Sequence, residues 1–136
     1  MQKNLLILCG LLLMISFPTA KSFGQTWSAP NYHPEIGDRI VKVNGNYVYD
    51  ESDFRYEVRN SSQNITLRVV DHRTGQYYSL RTQLWPASYQ TRLGIYVRTA
   101  PNHNGVIVTG FWPNCPGMRC QYKKGEITPV HDGWYY

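Results

Sequence analysis

Two cysteines, Cys115 and Cys120, share the segment Pro113-Asn114-Cys115-Pro116-Gly117-Met118-Arg119-Cys120. In an oxidising compartment such an even pair reads as a small disulfide loop. A bridge closing so few residues removes little unfolded-chain entropy, so it would mainly fix local shape. Zinc is the alternative chemistry, with His103 and His131 completing four ligands, but neither histidine stands at finger-like spacing. His33 and His72 fall in polar, turn-like stretches, which suits solvated histidines better than catalytic ones. Glu51 and Asp53 offer the paired carboxylates that acid–base chemistry needs. Both fall at the start of a helical pattern, where capping and the helix dipole explain them. Asn60-Ser61-Ser62 and Asn64-Ile65-Thr66 match the glycosylation sequon, which matters only on a eukaryotic secretory route. There is no Gly-Xaa-Ser-Xaa-Gly elbow, no His-Glu-Xaa-Xaa-His and no phosphate-cradling glycine loop, and no nucleophile stands at usable spacing from a base. The chain therefore reads as non-catalytic, with no cofactor and no metal.

The N-terminus speaks to the compartment. Lys3 precedes a largely apolar run from Leu5 to Phe17, Pro18 breaks it, and small residues follow at Ala20, Ser22 and Gly24. That is the pattern of an export signal, too short to span a bilayer comfortably, with cleavage expected after Ser22 or Gly24. An uncleaved membrane anchor is the alternative. Cys9 lies mid-run behind Leu8 and is not placed as a lipid-attachment cysteine. The expected organisation is a signal peptide over 1–24 and one domain over 25–136, periplasmic or secreted, with no membrane contact after cleavage.

Fourteen Lys and Arg against nine Asp and Glu give a formal charge of +5, and Lys3 and Lys21 leave with the signal. The remaining Arg residues are scattered rather than striped, which argues against nucleic acid as a partner. A chain of 136 residues excludes large enzyme architectures such as a (β/α)8 barrel, which needs about 250. Eleven Tyr and four Trp supply both a core and a sticky surface, so disorder across the whole chain is excluded.

The domain must be built largely from short strands. Thr26 to Glu35 holds Pro30 and Pro34 and predicts an irregular lead-in. Gly37 to Gly45 predicts a strand closed by an Asn-Gly turn. Asp50 is a helix N-cap with Asp53 three residues on, and Phe54 and Val58 follow at i, i+4 spacing, so a short helix is expected over 51–60. Ile65, Leu67 and Val69 alternate with Thr66, Arg68 and Val70. Together with Tyr77 to Leu84 they predict a hairpin around a polar turn at 71–76. Leu93 to Val97 and Gly105 to Thr109 predict two more strands on either side of an Asn-His-Asn-Gly turn. The expected class is a small, mainly β domain of about five strands with one or two short helices.

Gly37-Asp38-Arg39-Ile40-Val41-Lys42-Val43-Asn44-Gly45 resembles the Gly-Asp-Xaa-Ile-Xaa-Xaa-Val-Asn-Gly strand of PDZ domains, and Asp50 to Leu67 resembles their peptide-binding helix and the strand after it. Arg92-Leu93-Gly94-Ile95-Tyr96-Val97 is similar to the family's carboxylate loop and following strand, in its bacterial form. Gly105 to Phe111 resembles the next strand, and Trp112 to Gly117 the turn that enters a small helix. The two halves stand in swapped order. The resemblance therefore implies a circularly permuted PDZ-like fold, a partly open β-barrel or sandwich, with the 65–84 hairpin bridging the usual termini. Two incomplete tandem copies are the rival arrangement, helped by a loose echo of residues 37–45 in Gly125 to Gly133.

The resemblance implies a protein-interaction module that binds peptide C-termini by strand addition. Leu93, Gly94 and Ile95 would hold the terminal carboxylate on backbone N–H groups, with Arg92 adding charge. Ile95, Tyr96 and Val97 would pair with the peptide, and Glu51, Arg55 and Val58 would face it from the helix. Phe54 is expected in the core and Val58 between core and pocket. The family's first class has His where Glu51 stands, so its Ser/Thr preference does not carry over. Two other readings remain: an interaction domain with a degenerate groove, and an accessory regulator acting in trans on an exported protease.

Overall fold

Asn44 and Gly45 both take positive φ, 53° and 85°, the geometry of the tight turn whose twist suits a hairpin. They join strand β1 (Arg39–Val43) to the short β2 (Asn46–Tyr47), with Lys42 opposite Tyr47. The structure is a computed structural model and describes residues 26–125. The signal-peptide reading, His131 and the echo beyond Gly125 lie outside the described residues.

Helix α1 (Glu51–Arg59) starts where its caps demand. The Asp50 side chain accepts from the Asp53 N–H at 3.0 Å, and the Asp53 carboxylate accepts from the Tyr49 N–H at 2.9 Å. Two otherwise orphaned donors are satisfied, and both carboxylates complement the positive helix end. β3 (Asn64–Val70) and β4 (Tyr77–Gln83) then pair antiparallel along their whole length, from Val70↔Tyr77 to Asn64↔Gln83. Ile65, Leu67 and Val69 are at most 1% exposed. Each such side chain stabilises the fold by about 1.5–3 kcal/mol.

β5 (Ile95–Thr99) and β6 (Val106–Phe111) form a second hairpin, a 3-10 turn covers Pro116–Met118, and β7 (Gln121–Lys124) closes the described chain. All seven strands form one antiparallel, unclosed sheet in the order β5-β6-β1-β3-β4-β7, with β2 beside β1. The described residues are mainly β with one short α-helix. No described helix is long and apolar enough to cross a membrane.

The core gathers Ile40, Val43, Leu67, Leu80, Val106 and Val108 from the sheet and Phe54 from α1, as expected for Phe54. The helix stops one residue short of its expected end, because Asn60 leaves the helical backbone (φ −93°, ψ 5°) and becomes its C-cap. β2 and β7 were not among the expected strands. β2 is only two residues long, and β7 carries one aromatic, Tyr122, among Gln and Lys.

The two sheet edges are treated differently. The outer side of β7 is covered by the lead-in. Ser28 and Tyr122 exchange N–H···O bonds of 3.0 and 2.9 Å, and Tyr32 and Cys120 exchange two more of 3.0 and 2.8 Å. β5, at the other end, has no strand outside it among the described residues. An uncovered edge presents a row of unpaired main-chain donors and acceptors, which most folds avoid.

Candidate functional site

The ladder geometry settles which groups β5 exposes. Trp112 N–H donates to Gly94 O at 2.8 Å, and Ala100 N–H donates to Gly105 O at 2.9 Å. With Ile95 opposite Phe111 and Thr99 opposite Val106, those bonds place Ile95 and Thr99 at non-hydrogen-bonded positions towards β6. Alternation adds Val97. The N–H and C=O groups of Ile95, Val97 and Thr99 therefore point away from the sheet. Their side chains share the inward face, while Tyr96 and Arg98 are exposed. The Tyr96 ring lies back over β6, where a Cβ on Gly110 would stand 3.4 Å from it.

Helix α1 runs beside this open edge. Its first turn is tied to the far end of β5 by the Glu51 N–H, which donates to Thr99 Oγ1 at 3.0 Å. Its last turn is tied to the loop before β5 by Arg92. That guanidinium donates through Nη1 to the carbonyls of Val58 (3.3 Å) and Ser61 (2.7 Å), through Nη2 to Ser62 (2.7 Å), and through Nε to Trp85 (3.1 Å). Such donors satisfy the carbonyls a helix end leaves open. A groove of about 370 Å³ remains between helix and strand.

All nine residues singled out from sequence, Glu51, Arg55, Val58 and Arg92 to Val97, line that groove. Glu51 and Arg55 are exposed enough to form an i, i+4 ion pair at 3.5 Å, worth little in water. Val58 is half-buried against the core, so it belongs to both groove wall and core.

Two details of the expected carboxylate end need correction. Arg92 spends its guanidinium on main-chain carbonyls, so it acts as a clamp and contributes only its charge to the groove. The Gly94 N–H is already donated to Thr91 Oγ1 at 3.1 Å. The Ile95 N–H points outward, and the Leu93 N–H has no partner among the described residues. Two amides are thus open where three were expected.

Gly94 is required for packing rather than for groove access. Its φ is +83°, and a Cβ there would stand 2.2 Å from Cys115 Cβ and 2.7 Å from Cys115 Sγ. The expected disulfide is not formed in this structure, where Cys115 and Cys120 are unbridged and buried. Cys115 Sγ donates to Gly94 O at 3.5 Å, whereas Cys120 Sγ donates to Gly117 O at 3.5 Å and Pro116 O at 3.7 Å. The side chains serve separate carbonyls instead of each other. Burial, then the neighbouring Cys115, pushes the Cys120 thiol up to about 12.

The polar cluster that sequence reasoning missed lies outside the groove. Asp38, 2% exposed, accepts from the ring of His72 (2.7 Å), Tyr78 Oη (2.5 Å), and the N–H groups of Glu35 (2.9 Å) and His72 (3.0 Å). Burial alone would raise its carboxyl, but these bonds, led by His72 and Tyr78, hold it below the ordinary value. Burial and the bond to Asp38 push the Tyr78 phenol upward. Glu35, Asp38 and His72 have ligand-type atoms within 4.8 Å of one another, and the cysteines are not in that cluster. Four donors already fill both Asp38 oxygens, and Glu35 pairs with Arg73 at 2.8 Å. The cluster pins the 71–76 turn to the start of β1. Only the Gly-Asp dipeptide marks it in the sequence.

Comparison of the chain with protein-family models, with characterised proteins and with solved structures found no match.

Proposed function

We propose that the chain is an exported, non-catalytic PDZ-like interaction module that takes extended peptide C-termini along β5. The reading rests on one observation: the β5 edge, which no described strand covers, lies beside α1, with its outward N–H and C=O groups lining a groove. An added strand would satisfy the main-chain groups of Ile95 and Val97. The floor of Leu93, Ile95, Val97 and Val58 offers an apolar seat for the last side chain. The open amides of Leu93 and Ile95, with Arg92 charge behind them, suit a carboxylate. The swapped order of the two PDZ-like halves agrees with a permuted chain, since all strands join one sheet.

A second reading is favoured by the Glu51–Arg55 ion pair, which lies along the groove face of the helix and would be desolvated by a ligand. In that reading the groove is degenerate and the exposed tyrosines make the contact.

Fluorescence polarisation against random peptides with free C-termini separates the two, each hit being repeated with its carboxylate amidated. Val97→Pro is the matching variant. It removes an outward N–H and leaves the β6 ladder bonded, as proline on an edge strand can. Binding lost on amidation and in Val97→Pro supports the module. Binding indifferent to both, or none by a folded chain, rejects it.

A further inference from the structure

A second concavity, larger than the groove, lies elsewhere on the sheet. A cleft of about 960 Å³ opens over the outward face of β3, β4 and β7, walled by Trp85-Pro86 on one side and by Asn114 to Arg119 on the other. That volume lies in the range of sites that hold small ligands or oligomer segments.

Its chemistry is one-sided. Two guanidinium groups, Arg81 and Arg119, line it, and none of its lining residues carries a carboxylate. Arg81 is held in place: Nε donates to Gln121 Oε1 at 2.8 Å, and the guanidinium stacks over Trp27 at 4.3 Å. Gln121 is fixed in turn by its Nε2, which donates to Ser28 O at 3.0 Å. The Nη groups of Arg81 and the whole Arg119 guanidinium have no partner among the described residues. Gln83 and Asn64 add exposed amides, each both donor and acceptor. Trp85 adds a half-buried residue whose backbone N–H donates to Arg92 O at 3.0 Å and whose ring packs against Tyr89, centroids 5.6 Å apart.

We propose that this cleft binds a segment of an acidic polysaccharide, a chain of uronic acid-type sugars. Sugar carboxylates fit the two planar, bidentate guanidinium forks. Ring hydroxyls, which donate and accept, fit the amides of Gln83, Asn64 and Gln121. The apolar face of a sugar ring fits the flat indole of Trp85. An acidic peptide suits the cleft less well, because β4 in its floor is paired on both sides and offers no edge for strand addition.

The test titrates the full chain with oligogalacturonate, with a neutral glucose oligomer of equal length, and with oligoglutamate, followed by tryptophan fluorescence and calorimetry. Arg119→Gln, alone and with Arg81→Gln, is measured beside Val97→Pro, and thermal melts check that each variant is folded. The expected result is saturable uronate binding that weakens about tenfold or more for each lost guanidinium, is far weaker for the neutral oligomer, and is unchanged in Val97→Pro. Absence of saturable uronate binding overturns the proposal. So does undiminished binding by the folded double variant, equal binding of the neutral oligomer, or oligoglutamate binding as tightly as the uronate.

Discussion

Gly94→Ala tests how the loop before β5 is held, and Gly45→Ala is its built-in control. The two glycines have nearly the same backbone, φ +83° and +85°, but a Cβ at Gly45 meets nothing within 4 Å, whereas one at Gly94 would strike Cys115 Cβ at 2.2 Å. A left-handed backbone costs a residue with a side chain about 1–2 kcal/mol, and that part is common to both variants. Forcing an extra methyl into a packed site adds about 1–3 kcal/mol, and that part belongs to Gly94 alone. Cys115 is fully buried and cannot swing clear cheaply. Gly94→Ala should therefore cost about 2–5 kcal/mol, a large share of a typical domain's stability. The melting temperature falls by roughly 4–8 °C per kcal/mol in a domain of this size. Urea and thermal unfolding of both variants, followed by tryptophan fluorescence, give the difference directly. Adding Cys115→Gly to Gly94→Ala should recover the packing part and leave the backbone part. Equal destabilisation of Gly94→Ala and Gly45→Ala would refute the reasoning.

Three further outcomes follow from the same geometry. Asp38 is held below its ordinary carboxyl value, so its contribution is fully present above the unfolded carboxylate's pKa of about 3.9 and is lost as pH falls below that through the folded value; Asp38→Asn should cost about 3 kcal/mol at pH 7 and flatten the acid limb of a stability–pH curve. Cys115 and Cys120 should resist iodoacetamide in the folded protein and react after denaturation without reductant, which intact mass reads out; a mass two hydrogens light would restore the disulfide. Arg92→Lys replaces a fork serving five residues' carbonyls with a single ammonium, so hydrogen exchange at the C-terminal turn of α1 should quicken while the β3–β4 hairpin is unchanged.

Local signals made most of the fold legible. Alternation in Ile65 to Val69, the Asn-Gly turn and the Asp50 cap each depend on a few neighbouring residues, and each element formed where its pattern lay. β7 was illegible because it is held by partners far along the chain, β4 and the lead-in, and its own residues carry little periodicity. The groove residues could be gathered because the resemblance supplied long-range pairing that periodicity cannot. What they do individually was less legible. Arg92 read as a free charge and is a helix clamp; Gly94 read as a carboxylate-holding amide and is clearance for Cys115. The Asp38 network joins residues up to forty positions apart, and no local pattern announces it. The Arg81–Trp27 stack beside the acidic-sugar cleft was hidden for the same reason.

Amide hydrogen exchange along β5, with and without a peptide found by the screen, tests the peptide-binding claim most directly. The outward N–H groups of Ile95 and Val97 should exchange quickly in the free protein, since no strand covers them, and slowly once a peptide adds beside them. The inward N–H groups of Tyr96 and Arg98, already in the β6 ladder, should change little. Protection appearing elsewhere on the molecule, with Ile95 and Val97 unaltered in the bound state, would contradict strand addition at this edge.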